Sequence, residues 1–123
     1  MEISILPIKN NRMLARWQLL AIVHTLIIGP LLIALGEAGK RLPNEAFPAI
    51  AVVGGFIAAY HAYRYFTNGM RNINLFHMLV VGPVLLYIGI RGKSHAGFAF
   101  PLATMLGFAA IGYNVSNLIK YSK

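Results

Sequence analysis

Cysteine and aspartate are both absent from the 123-residue chain. Without a thiol there is no disulfide, no thiolate metal site and no sulfur nucleophile, and the redox compartment leaves no trace in the sequence. The acidic residues number three, Glu2, Glu37 and Glu45, and none stands in the middle of an apolar run. Paired-carboxylate catalysis and carboxylate-driven antiport therefore lack their residues, and the chain is expected not to be an enzyme. Charge of either sign is sparse at 11% of residues, against about 25% in ordinary soluble domains. So little polar surface cannot clothe a soluble helical bundle of this length.

What is present is apolar. Hydrophobic residues make up 58% of the chain and the mean hydropathy is +0.65. Four runs stand out, Leu14 to Gly36, Phe47 to Phe66, Leu75 to Ile90 and Phe98 to Ile119. A hydrocarbon core of about 30 Å takes roughly 20 helical residues, which three runs meet directly and the third meets if Asn72 to Asn74 and Arg91 sit at the interfaces. The predicted fold is all-α, an integral membrane four-helix bundle. It forms a single membrane domain over 1–123, with 1–13 as an interfacial segment carrying Ile3, Ile5, Leu6 and Ile8. The connectors are too short for any extramembrane domain.

The chain also repeats itself. At a constant offset of 53 residues His24 matches His77, Gly29-Pro30 matches Gly82-Pro83, Gly39-Lys40 matches Gly92-Lys93, Phe47-Pro48 matches Phe100-Pro101, and Tyr60 matches Tyr113. The pattern points to two tandem two-helix repeats, about 19–66 and 72–119. Two spans per unit give both copies the same direction through the bilayer, so they are parallel repeats related by an axis along the membrane normal. Inverted repeats, the usual basis of alternating access, are not encoded.

Within each repeat the first helix carries a Gly-Pro pair, Gly29-Pro30 or Gly82-Pro83. Proline lacks the amide hydrogen and its ring crowds the carbonyl four residues back, so kinks are expected there, with the Leu26 and Leu79 carbonyls released. Gly54, Ala58 and Ala62 on one helix, and Ala99, Ala103 and Gly107 on the counterpart helix, recur at four-residue spacing. Rows of this kind let helix backbones approach closely in lipid.

Basic residues set the orientation. Lys9, Arg12, Arg16, Arg64, Arg71, Lys120 and Lys123 fall on the side of the termini, against Lys40, Arg41, Arg91 and Lys93 on the other, which favours cytoplasmic termini. The net charge of +8 flanks membrane helices and aromatic residues such as Tyr63-Arg64-Tyr65-Phe66. Arg16, Arg64, Arg71 and Lys120 are thus read as contacts to anionic lipid headgroups, with no nucleic acid as partner.

One layer holds the polar chemistry. His24, Tyr60, His61, His77, Tyr113 and Asn114 fall at similar depths, all four helices contribute, and intramembrane histidines normally face a bundle interior or a water-filled cavity. A pairing of His24 with Tyr60 and His77 with Tyr113 would satisfy these groups by packing alone. Beyond packing, the layer fits passage of an ion or proton, since imidazole titrates near neutral pH. Two other readings compete. One is a structural or accessory subunit, a homo-oligomer or a partner in a membrane complex. The other is haem b held by His24 and His77 as axial ligands; otherwise no cofactor or metal is expected. Gly92-Lys93-Ser94 resembles the end of a phosphate loop but has Tyr87 where the earlier glycine belongs. Asn114-Val115-Ser116 is a glycosylation sequon inside a span.

Overall fold

The computed structural model describes residues 15–121. The expected interfacial segment 1–13, with Lys9 and Arg12, lies outside the described residues, as does Lys123. The described residues form four helices and no strand: α1 Arg16–Arg41, α2 Ala46–Thr67, α3 Asn72–Gly92 and α4 Ala99–Tyr121, each long and apolar enough to cross a membrane. The weakest of the four apolar runs becomes a helix of 21 residues because Asn72 to Asn74 join it. At 1.5 Å per residue it extends about 30 Å, enough for a hydrocarbon core.

Two glycines end the first helix of each half. Gly39 has φ +48° and Gly92 φ +69°, a region that costs an L side chain steric strain and glycine none. The backbone around the prolines inside these helices carries a feature that the proline alone does not announce. The backbone widens into a π turn just before each Gly-Pro pair, His24–Ile28 in α1 and His77–Val81 in α3. The Gly29 amide donates to the His24 carbonyl and the Gly82 amide to the His77 carbonyl, five residues back in both cases. One extra residue in the turn spreads the mismatch over a widened loop of backbone.

Packing pairs α1 with α4 and α2 with α3, while the arms of the α1–α2 hairpin have no extended contact along their lengths. The small residues decide this. A Cβ built on Gly82 would meet the Ala58 Cβ at 2.7 Å, and one on Gly54 would lie 2.9 Å from the Gly82 carbonyl oxygen. In the other pair a Cβ on Gly29 would meet Ile111 at 2.5 Å, and one on Gly107 would lie 2.6 Å from the Gly29 carbonyl oxygen. Gly89 approaches Ala51 and Gly36 approaches Thr104 just as closely. Each contact in one pair has its counterpart 53 positions away in the other. The glycine and alanine rows are consumed inside the bundle.

The buried core has two parts. Phe47, Ile88, Ala96, Ala99, Phe100 and Ala103 close the end remote from the termini, and Leu32, Val81 and Leu85 fill the middle. Outside, large apolar side chains face outward along every helix: Leu26 is 68% exposed, Phe56 72%, Ile90 71% and Phe108 62%. A water-soluble bundle hides such residues, and a contiguous apolar surface of this extent belongs against lipid or another protein.

Candidate functional site: a histidine cluster beside an apolar cavity

The π turns position the cluster. His24 and His77 are the first residues of their turns, and each ring folds back along its own helix so that Nδ1 donates to the carbonyl four residues earlier, Leu20 for His24 and Ile73 for His77, both at 2.7 Å. A backbone carbonyl only accepts, which fixes the neutral tautomer with its proton on Nδ1 and leaves the Nε2 lone pair free. The two rings lie 6.1 Å apart, centroid to centroid, with planes at 88°. His61, from α2, stacks on His77 at 4.3 Å with planes 23° apart.

His61 is anchored from a different source. Its Nδ1 donates to the Asn74 Oδ1 at 2.8 Å, tying α2 to the first turn of α3. Asn74 is the only buried polar residue among those described, 6% exposed. Removing either partner would strand a polar group in an apolar setting, at a cost of about 1–3 kcal/mol. Three imidazoles thus converge, each with Nδ1 committed as donor.

The other residues of the expected layer are distributed otherwise. Tyr60 and Tyr113 are more than half exposed, and neither makes the predicted pair with a histidine. The Tyr60 hydroxyl accepts from Arg64 Nη1 at 3.1 Å, with the guanidinium 5.9 Å above the ring, and the ring meets His61 edge to face at 5.1 Å. The pairing fails because a closer acceptor, the carbonyl one turn back, satisfies His24 and His77 within their own helices. Asn114 donates from Nδ2 to the Ala110 carbonyl at 2.7 Å. The Thr25 hydroxyl, next to His24, is buried without a hydrogen-bond partner. Arg16, Arg71 and Lys120 are exposed and Arg64 is half-buried, all toward the end of the bundle that holds Trp17 and Tyr121, whose rings meet at 6.1 Å.

A cavity of about 460 Å³ opens beside the cluster, with walls from all four helices. His24, His61, His77, Tyr113 and Asn114 form its polar part; Ile28, Leu32, Ile57, Val81 and Leu106 are among the apolar remainder. A groove of about 520 Å³ between α1 and α2 shares Ile28, Leu32, Ile57 and Val81 with it and is apolar throughout. Among the described residues neither lining contains a Lys, Arg, Asp or Glu side chain. Toward the far end, buried apolar side chains follow: Leu32 and Val81, which also line the cavity, with Leu85, and then Phe47, Ile88 and Phe100.

Asn74 stands in the first turn of the third span, where the sequence reading puts a polar end residue, but it is buried and joined to His61, which that reading does not anticipate. Its signal is spacing: it stands three positions before His77, one helical turn away on the same face. No group of three or more metal-binding side chains that could hold an ion occurs among the described residues. No known protein family, curated protein or solved structure matches the chain, so the roles of these residues rest on their geometry alone.

Proposed function

We propose that the chain is a multi-pass membrane protein of two tandem parallel repeats that handles protons or small ions at an intramembrane histidine site, with the apolar middle layer as its gate. The convergence of His24, His61 and His77 at one cavity carries this reading. Imidazole is the side chain that binds and releases a proton near neutral pH, and rings 4.3 and 6.1 Å from His77 cannot all be charged with it without repulsion. With Nδ1 held by a carbonyl or amide oxygen, proton uptake falls to the Nε2 positions. Protonation then places charge in an apolar cavity, which draws in water and anions. Leu32, Val81 and Leu85 would exclude water at rest, as hydrophobic constrictions do. The 53-residue correspondence of the close helix contacts supports the duplication, and the outward apolar faces support insertion in a bilayer.

The test is flux in liposomes. Protein reconstituted with a trapped pH-sensitive dye is expected to dissipate an imposed gradient faster than protein-free vesicles, and more steeply dependent on pH than a His77→Gln variant of equal folded content. Flux indistinguishable from empty vesicles would refute the proposal. Reporter fusions at the C-terminal end and in the connector 39–44 are expected on opposite sides, with the termini cytoplasmic. The accessory-subunit reading draws less support, since the small-residue rows that would seat a partner face inward; self-association would have to use exposed faces such as those of Phe56 and Phe108. A Soret band from the purified protein would restore the haem reading instead.

A further inference from the structure

We propose that the cavity and the α1–α2 groove together bind a neutral single-chain amphiphile whose head is a hydroxyl, alcohol or phenol. The polar end supplies the head specificity. His24 and His77 each spend their only neutral-state donor on a backbone carbonyl, and His61 spends its own on Asn74. What they offer a ligand is therefore a set of Nε2 acceptors, which a hydroxyl satisfies and an ether does not. Among the described residues neither lining has a Lys, Arg, Asp or Glu to offset the desolvation of a charged headgroup, which favours a neutral one.

The tail follows from the groove. It continues from the cavity through Ile28, Leu32, Ile57 and Val81, and runs between two helices whose facing residues include Ala34, Ala38, Ala46 and Ala49. The corresponding space between α3 and α4 is closed by Ile88, Ala99 and Ala103, which are fully or almost fully buried. The position equivalent to Ala103 is Ile50, a larger side chain that is half-buried and lines the groove. Combined, the two spaces are in the size range of ligand sites, roughly 300–1,000 Å³, with few polar groups at one end. This inference does not depend on proton handling: a protein that conducts nothing would still show the selectivity described next.

The test is competition. Full-length protein in nanodiscs is photolabelled with a diazirine-bearing hexadecanol, and labelling is competed with unlabelled hexadecanol or hexadecyl methyl ether, the same chain without the donor. Labels are expected on α1 and α2 around Leu31 and Val53, with the alcohol competing at roughly tenfold lower concentration than the ether, the scale of a lost buried hydrogen bond. His77→Phe is expected to remove that preference while keeping the label, and Val53→Trp, at an exposed position on the groove wall, to reduce labelling several-fold. Equal competition by the ether, or labelling spread evenly over the outer faces, would overturn the proposal. The wild-type comparison decides the matter even if a variant fails to fold.

Discussion

The α1·α4 pair and the α2·α3 pair are built on one pattern and differ around their histidines. Both carry a histidine at the head of a π turn with Nδ1 on the carbonyl four residues back, both have a Gly-Pro pair after it, and both close on glycines at equivalent positions. Around His77, however, the second helix contributes His61 and the first turn contributes Asn74, joined across the seam at 2.8 Å. The same positions around His24 hold Asn114 and Ala21, and Asn114 bonds only within its own helix. Elements shared by the two pairs define the scaffold. Those confined to α2·α3 mark the specialised half, a third imidazole and the buried amide that aims it.

The largest expected effect tests the shared scaffold. Gly54→Val and its counterpart Gly107→Val each force a branched side chain into a seam where a Cβ already meets backbone atoms at 2.6 Å. Overpacking of this kind costs about 1–3 kcal/mol, and more where backbone cannot retreat. Thermal unfolding in detergent should show both variants destabilised to a similar degree. A loss at one position and none at the other would break the equivalence of the pairs.

Next comes the asymmetry. His61→Leu leaves the Asn74 amide buried without its partner and is expected to cost about 1–3 kcal/mol, whereas Asn114→Leu removes an intrahelical contact and should cost under about 1 kcal/mol. The same melting measurement checks this ordering, and the reverse ordering would mean the cross-helix bond is not what distinguishes the pairs. A finer version copies one pair onto the other. The double change His61→Asn with Asn74→Ala gives α2·α3 the residues of α1·α4, and a double-mutant cycle should show favourable coupling between positions 61 and 74 of about 0.5–1.5 kcal/mol. The smallest effect is at the rim. Arg64→Gln loses an exposed contact to Tyr60 and should shift stability by less than about 0.5 kcal/mol.

Much of this organisation was legible in the residues. Length and apolar content of the runs mark four helices because a bilayer-spanning helix needs both, and the match of Gly39 to Gly92 is visible as a repeat, although their positive φ angles at the helix ends are not. His24, His61 and His77 were identifiable as one layer from depth alone. Depth along an axis does not give rotation about it, however, so the tyrosines at the same level turn outward and the predicted histidine–tyrosine pairs are not made. Helix pairing was hidden for a related reason. Two-helix repeats suggest pairing within each repeat, yet the close glycine contacts join α2 to α3 and α1 to α4, across the repeats. Nor does the sequence announce that proline will be accommodated by a π turn, since that depends on the extra residue being tolerated by the helix opposite. Asn74 escaped because an asparagine at a helix end is ordinarily an interfacial residue, and only its distance from His61 across the seam makes it a core group.

The most direct test of the account is nitrogen-15 NMR of the histidine side chains in lipid nanodiscs across pH, with single His→Gln variants for assignment. Nδ1-protonated neutral rings are expected for His24, His61 and His77, and removing His61 is expected to change the proton uptake of His77, on which it stacks. Nε2-protonated neutral tautomers, or a His77 signal that does not respond to the loss of His61, would contradict this.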